Sequence, residues 1–200
     1  VTHHDSDKDT GKPLPFHGVL LWRGILGMAF GFVMVFWPRE ELAPSLLVLP
    51  VAQVDWLLLG YLVLNAVLLI LQARSPHLPA GCSMIVWGQV IVTLPGILFL
   101  VVAEQAGQLV AAISVWALLH GLLEAWLWRT LRERYRGASD FLIAGGIHLF
   151  LALVLFINPA MQPLAILGFT GAAALMTGVV FVLGAITARK RLKAQAAAEN

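Results

Sequence analysis

Few residues in this chain combine a type and a spacing that could do chemistry. His120 and Glu124 lie four residues apart inside the apolar run from Gln108 to Trp128. At that spacing they share one face of a helix. An imidazolium beside a buried carboxylate favours its ionised form, and histidine is the side chain that changes charge near neutral pH. With His148 as a relay, the pair could move protons inside a membrane. The same groups, joined by Arg23, could instead satisfy one another as an interhelical hydrogen-bond cluster. His-x-x-x-Glu also occurs in metal sites, where the third ligand would have to come from His148. One His–Glu pair is not a transport motif, and no metal and no cofactor is expected.

The elements that must position these residues are membrane helices. A soluble domain of this size carries about 45–50% apolar and about 25% charged residues. Here 60% of 200 residues are hydrophobic and 12% are charged, and the mean hydropathy is +0.85. Too few polar residues remain to coat a water-facing surface. The single cysteine, Cys82, excludes an internal disulfide.

A helix needs about 20 apolar residues to span the hydrocarbon core, and six stretches meet that length: about 18–37, 54–72, 83–103, 108–128, 140–158 and 162–188. The expected fold class is therefore an all-α integral membrane bundle of six transmembrane helices. Residues 18–191 form the membrane domain, flanked by a disordered tail over 1–17 and a C-terminal tail over 192–200. The tail at 1–17 is acidic where a signal peptide would be basic. Residues 38–53 read as a loop that is either re-entrant or interfacial. Pro95 is expected to kink the third span, and Asp140 to cap the fifth. Small residues mark close helix packing: Gly27 and Gly31 in a GxxxG, then Gly171 and Gly178 in the last span.

Basic residues set the orientation. Lys8, Lys12, Arg23, Arg74, Arg129, Arg132, Arg134, Arg136, Arg189, Lys190, Arg191 and Lys193 fall on one side when six spans alternate, and Arg39 falls opposite. The positive-inside rule then places both termini in the cytoplasm of a cell with this protein in its plasma membrane. The runs Arg129–Arg136 and Arg189–Lys193 suit anionic lipid headgroups. No stretch outside the membrane is long enough for a nucleic-acid-binding fold.

Counted from the basic ends of their spans, Asn65, Gln89, His120, Glu124 and His148 fall at one depth. At about 1.5 Å per residue that is roughly 8–14 Å inside the bilayer, and Arg23 lies near its edge. Helix rotation decides whether these groups meet.

Three apolar hairpins recur, over about 18–74, 83–136 and 140–191. The interval from Gly24 to Pro38 equals that from Gly145 to Pro159, at 14 residues. Each hairpin ends near a basic residue: Ala73-Arg74, Trp128-Arg129 and Ala188-Arg189. The middle hairpin departs, with Glu104 near where the proline would fall. This pattern of Arg-Gly (Arg23-Gly24), an outer-turn proline (Pro38, Pro159) and a closing Ala-Arg resembles the HdeD-like family of small bacterial membrane proteins, over about residues 18–191. The resemblance implies a link to acid resistance as a stress response. It implies no catalytic residues.

Two function classes follow. One is a non-catalytic stress-response protein that assembles in the bilayer with itself or with another membrane protein. The other is a small transporter or channel that moves protons or a small solute through the inner polar layer. A conducting route needs polar groups reaching both faces, and the outer halves offer little beyond Asp55 and Thr93. That favours the first class, and no enzymatic activity is expected.

Overall fold

The computed structural model describes residues 17–35, 50–76, 78–79 and 81–198. Six helices follow in order: α1 (His17–Val35), α2 (Val51–Ala73), α3 (Cys82–Val101), α4 (Ala106–Leu131), α5 (Ser139–Phe156) and α6 (Pro163–Ala198). All six are long and apolar enough to cross a membrane, as in a multi-pass membrane protein. Of the expected tail over 1–17 and loop over 38–53, residues 1–16 and 38–49 lie outside the described residues, as does Trp37; His17 opens α1, and residues 51–53 form the first turn of α2.

Their outward faces are apolar. Trp22, Phe32, Leu98, Phe99, Phe150 and Phe156 are all more than half exposed. A protein surrounded by water rarely presents a continuous apolar surface of this kind; hydrocarbon is its matching solvent. Inside, the helices close into a ring in which each packs against its sequence neighbours and α6 returns to α1. The α1–α6 and α4–α5 seams are the most extensive.

Glycines set both seams. A Cβ on Gly24 would stand 2.8 Å from the Gly178 carbonyl, and one on Gly27 would stand 2.6 Å from the Ala174 carbonyl. One on Gly31 would strike the Gly171 carbonyl, and one on Gly171 would strike the Met34 side chain. Across the other seam, Gly121 and Gly145 face each other, each with its absent Cβ 2.8 Å from the other's carbonyl oxygen. Backbones come this close only where side chains are missing.

Two expectations need correcting at the helix ends. Asp140 does not cap α5: the capping position is Ala138, with no side-chain hydrogen bond. Asp140 lies inside the first turn and reaches toward α6, where the bare Cα of Gly184 leaves it room. The turn before α4 lies two residues earlier than Glu104–Gly107, over residues 102–105, because α3 ends at Val101 and Ala106 already belongs to α4. There Gln105 and Gln108 form a reciprocal capping box that occupies free backbone donors. α3 continues through Pro95.

The core divides into two apolar layers. Leu58, Leu62, Ile113, Leu155 and Ile166 belong to the layer toward the α3–α4 turn. Leu69, Val86, Leu127, Phe141 and Phe181 belong to the layer toward the Arg-rich α4–α5 loop, here termed the basic end. Most of the buried charged and polar side chains lie between them.

Candidate functional site

Glu124 stands at the centre of the buried polar layer. Its side chain has no solvent exposure. The Gly121–Gly145 contact brings α4 and α5 together one turn away, which lets Glu124 meet His148 on α5. The His148 Nδ1 atom lies 2.7 Å from Glu124 Oε2 and 3.0 Å from the Ala144 carbonyl oxygen. A carbonyl can only accept, so Nδ1 carries the proton and donates to both.

From α1, Arg23 Nη2 donates to Glu124 Oε1 at 3.3 Å, and Nη1 donates to Gln72 Oε1 on α2 at 2.9 Å. The close α1–α6 seam also sets the guanidinium over the Phe181 ring, 4.9 Å from its centroid, a favourable cation–π geometry. One buried carboxylate thus joins α1, α4 and α5, and Arg23 extends the link to α2 and α6. An unpaired buried ion is costly, and a pair is tolerated only with good geometry and added hydrogen bonds; this cluster supplies both.

His120 completes the group. Its Nε2 is 3.5 Å from Glu124 Oε1, too long for a firm hydrogen bond, and neither ring nitrogen has a hydrogen-bond partner. Its ring is held by aromatic contacts instead. Trp116 stacks on it at 5.2 Å and meets His148 edge-on at 5.5 Å. The Trp116 indole N–H donates to Thr93 on α3 at 3.2 Å. Tyr61 packs edge-on against Trp116 at 6.4 Å and stacks on Phe30 at 4.4 Å. These aromatic rings cover the cluster on the side away from the basic end.

A cavity of about 10 Å³ touches Arg23, Asn65, His120, His148 and Thr177. That is about the room of one water molecule. Asn65 therefore meets the cluster across this space. Gln89 does not join it: its side-chain amide is buried without a hydrogen-bond partner, and only its backbone carbonyl is engaged, by Thr93 at 2.8 Å.

Gln72 and Trp116 are parts of the site that sequence reasoning missed. Gln72 lies two residues before Arg74, about 3 Å along the helix and outside the band of roughly 8–14 Å, and an amide so near a basic anchor reads as a solvated end. Trp116 precedes His120 by four residues and so shares its face. That spacing was the available signal, hidden because tryptophans in such chains usually mark the interface.

Donor atoms of His120, Glu124 and His148 lie within 4.8 Å of one another. Two histidines and a glutamate form a donor set known from zinc centres. The fit to a cation is poor, however. Glu124 Oε1 already accepts from Arg23, whose guanidinium would repel a metal there, and His148 Nδ1 is committed as a donor.

Searches against family models, curated proteins and solved structures found no match for this chain.

Proposed function

We propose that this chain is a non-catalytic, HdeD-like membrane protein that serves acid or related stress resistance by assembling in the plasma membrane, with itself or with another membrane protein. The observation that carries this reading is the enclosed Arg23–Glu124 pair, 3.3 Å apart with both side chains almost wholly buried. It is saturated on both carboxylate oxygens and covered by Trp116, Tyr61 and Phe30. Such a cluster fastens helices together and offers no continuous polar route between the two ends.

The HdeD-like reading includes descent from three repeated hairpins, and the helix ring supports it. The α2–α3, α4–α5 and α6–α1 seams each join one hairpin to the next and are each as extensive as, or more extensive than, the contact within any hairpin. Gly24 crosses Gly178 as Gly145 crosses Gly121, each glycine facing the other's carbonyl. In this proposal both termini are cytoplasmic, and Arg129, Arg132, Arg134, Arg136, Arg189, Lys190, Arg191 and Lys193 meet anionic lipids.

The second reading is a small proton or solute transporter, favoured by the cavity between Arg23, Asn65 and the two histidines. Proton flux into proteoliposomes under an inward acid gradient separates the two. The expected result is no flux above empty liposomes, with Glu124→Gln and His120→Ala lowering thermal stability only. Wild-type flux that both substitutions abolish would establish the transporter.

A further inference from the structure

At the basic end, a cleft of about 590 Å³ opens between the α4–α5 loop, the start of α5 and the last turns of α6. Its wall changes character along its length. Arg136, Asp140, Arg191 and Tyr135 line one part, and Ile143 and Leu183 line another. Leu183 precedes Arg191 by eight residues on one helix, a separation of about 12 Å along the axis. The apolar part lies within the α5 and α6 spans, and both Ile143 and Leu183 are at least half exposed on the lipid-facing surface. The polar part lies where those spans leave the hydrocarbon.

We propose that this cleft binds one anionic glycerophospholipid of the phosphatidylglycerol type. Its phosphodiester meets Arg136 and Arg191, its headgroup hydroxyls donate to Asp140, and its acyl chains run out past Ile143 and Leu183.

Charge and shape favour this occupant. Two guanidinium groups and one carboxylate line the cleft and leave a single positive charge, which one phosphodiester cancels. An ethanolamine lipid brings its own ammonium and leaves that charge uncancelled. The cleft volume suits a headgroup and glycerol while the chains stay in the bilayer, because closed ligand sites run to about 300–1,000 Å³. Two structural details hold the polar end open. Gly184 has no side chain where Asp140 enters, and Gly137 has none where it faces the Tyr135 ring. Burial pushes the Tyr135 phenol up to about 12, so it remains a neutral hydroxyl at physiological pH. The neighbouring Arg132 is arranged differently: it lies over Trp128 at 5.9 Å and 3.6 Å from Glu133, outside the cleft.

The site rests on the reading that the basic runs meet anionic lipid, and one experiment separates the two. The full chain in detergent is titrated with phosphatidylglycerol, phosphatidylethanolamine, phosphatidylcholine and inorganic phosphate, and bound lipid is counted by native mass spectrometry. One phosphatidylglycerol per chain should be retained in preference to the other two lipids. Arg136→Ala and Arg191→Ala should each weaken it about fivefold, the contribution of one basic residue at an anionic surface, while Arg132→Ala leaves it unchanged. Equal weakening by Arg132→Ala would overturn the site and keep only a diffuse lipid-facing charge. No preference among the lipids in the wild type would overturn both. Displacement of the lipid by an equal concentration of inorganic phosphate would show a simple anion site and overturn the lipid assignment.

Discussion

The hydrogen-bond pattern around Glu124 makes the cluster's energetics asymmetric. Removing one partner of a buried ion pair strands the other charge and costs about 3–5 kcal/mol. Replacing both with apolar residues of similar volume is often neutral. Glu124→Leu or Arg23→Met alone should therefore destabilise the bundle by about that amount, and the double substitution should recover most of the loss. Unfolding of the three variants in mixed detergent, followed by helical circular dichroism, checks this. A double variant no more stable than the singles would mean that the cluster's geometry, and not its charge, is what the helices depend on. This also marks what was legible at the residue scale. Spacing along a helix reports depth and face, so His120 with Glu124, and the shared level of His148, could be read from the chain. Azimuth could not. Gln89 sits at the same depth as the others, yet its amide stays outside the cluster, whereas Gln72 reaches Arg23. Only the packing of α2 and α3 around α4 decides between them.

At the scale of the helix, the two glycine seams are the elements most sensitive to added volume. A Cβ at Gly178 would fall 2.5 Å from the Met28 backbone nitrogen, and backbone cannot turn aside as a side chain can. Overpacking a tight contact costs about 1–3 kcal/mol, so Gly178→Ala and Gly121→Ala should each lower stability by roughly that much. Gly146 and Gly168 have nothing within 4 Å of an added Cβ, and alanine there should be neutral or slightly stabilising through its better helix propensity. Thermal unfolding of the four variants gives the comparison. If Gly146→Ala cost as much as Gly121→Ala, the penalty would lie in helix formation and not in the seam. The glycine clusters were visible in the chain, but their partners were not. A GxxxG serves equally for a contact within one chain or between two copies, and only the tertiary structure pairs Gly27 with α6. Asp140 went astray for a related reason: a carboxylate near a helix start usually caps it, and the space beside Gly184 is a tertiary feature.

At the scale of the whole molecule, charge asymmetry should dictate how the bundle sits in the membrane. Six spans were countable because a continuous apolar run of about 20 residues has few other uses. Their closure into a ring was not, since lipid-facing and core-facing residues are nearly equally apolar in this chain. Orientation depends on neither, only on which loops carry arginine and lysine. Two exposed glutamates report on opposite ends: Glu104 in the α3–α4 turn and Glu133 in the α4–α5 loop, with 81% of its side chain exposed. The native Cys82 is buried and contributes little background to thiol labelling. In intact cells, a membrane-impermeant maleimide should label Glu104→Cys and leave Glu133→Cys untouched until the membrane is opened. The reverse pattern would place the basic end outside, and the arginine-lined cleft with it, facing a leaflet where anionic lipid is scarcer. Labelling of both from outside would mean that α4 does not cross the bilayer, and would remove the six-span topology itself.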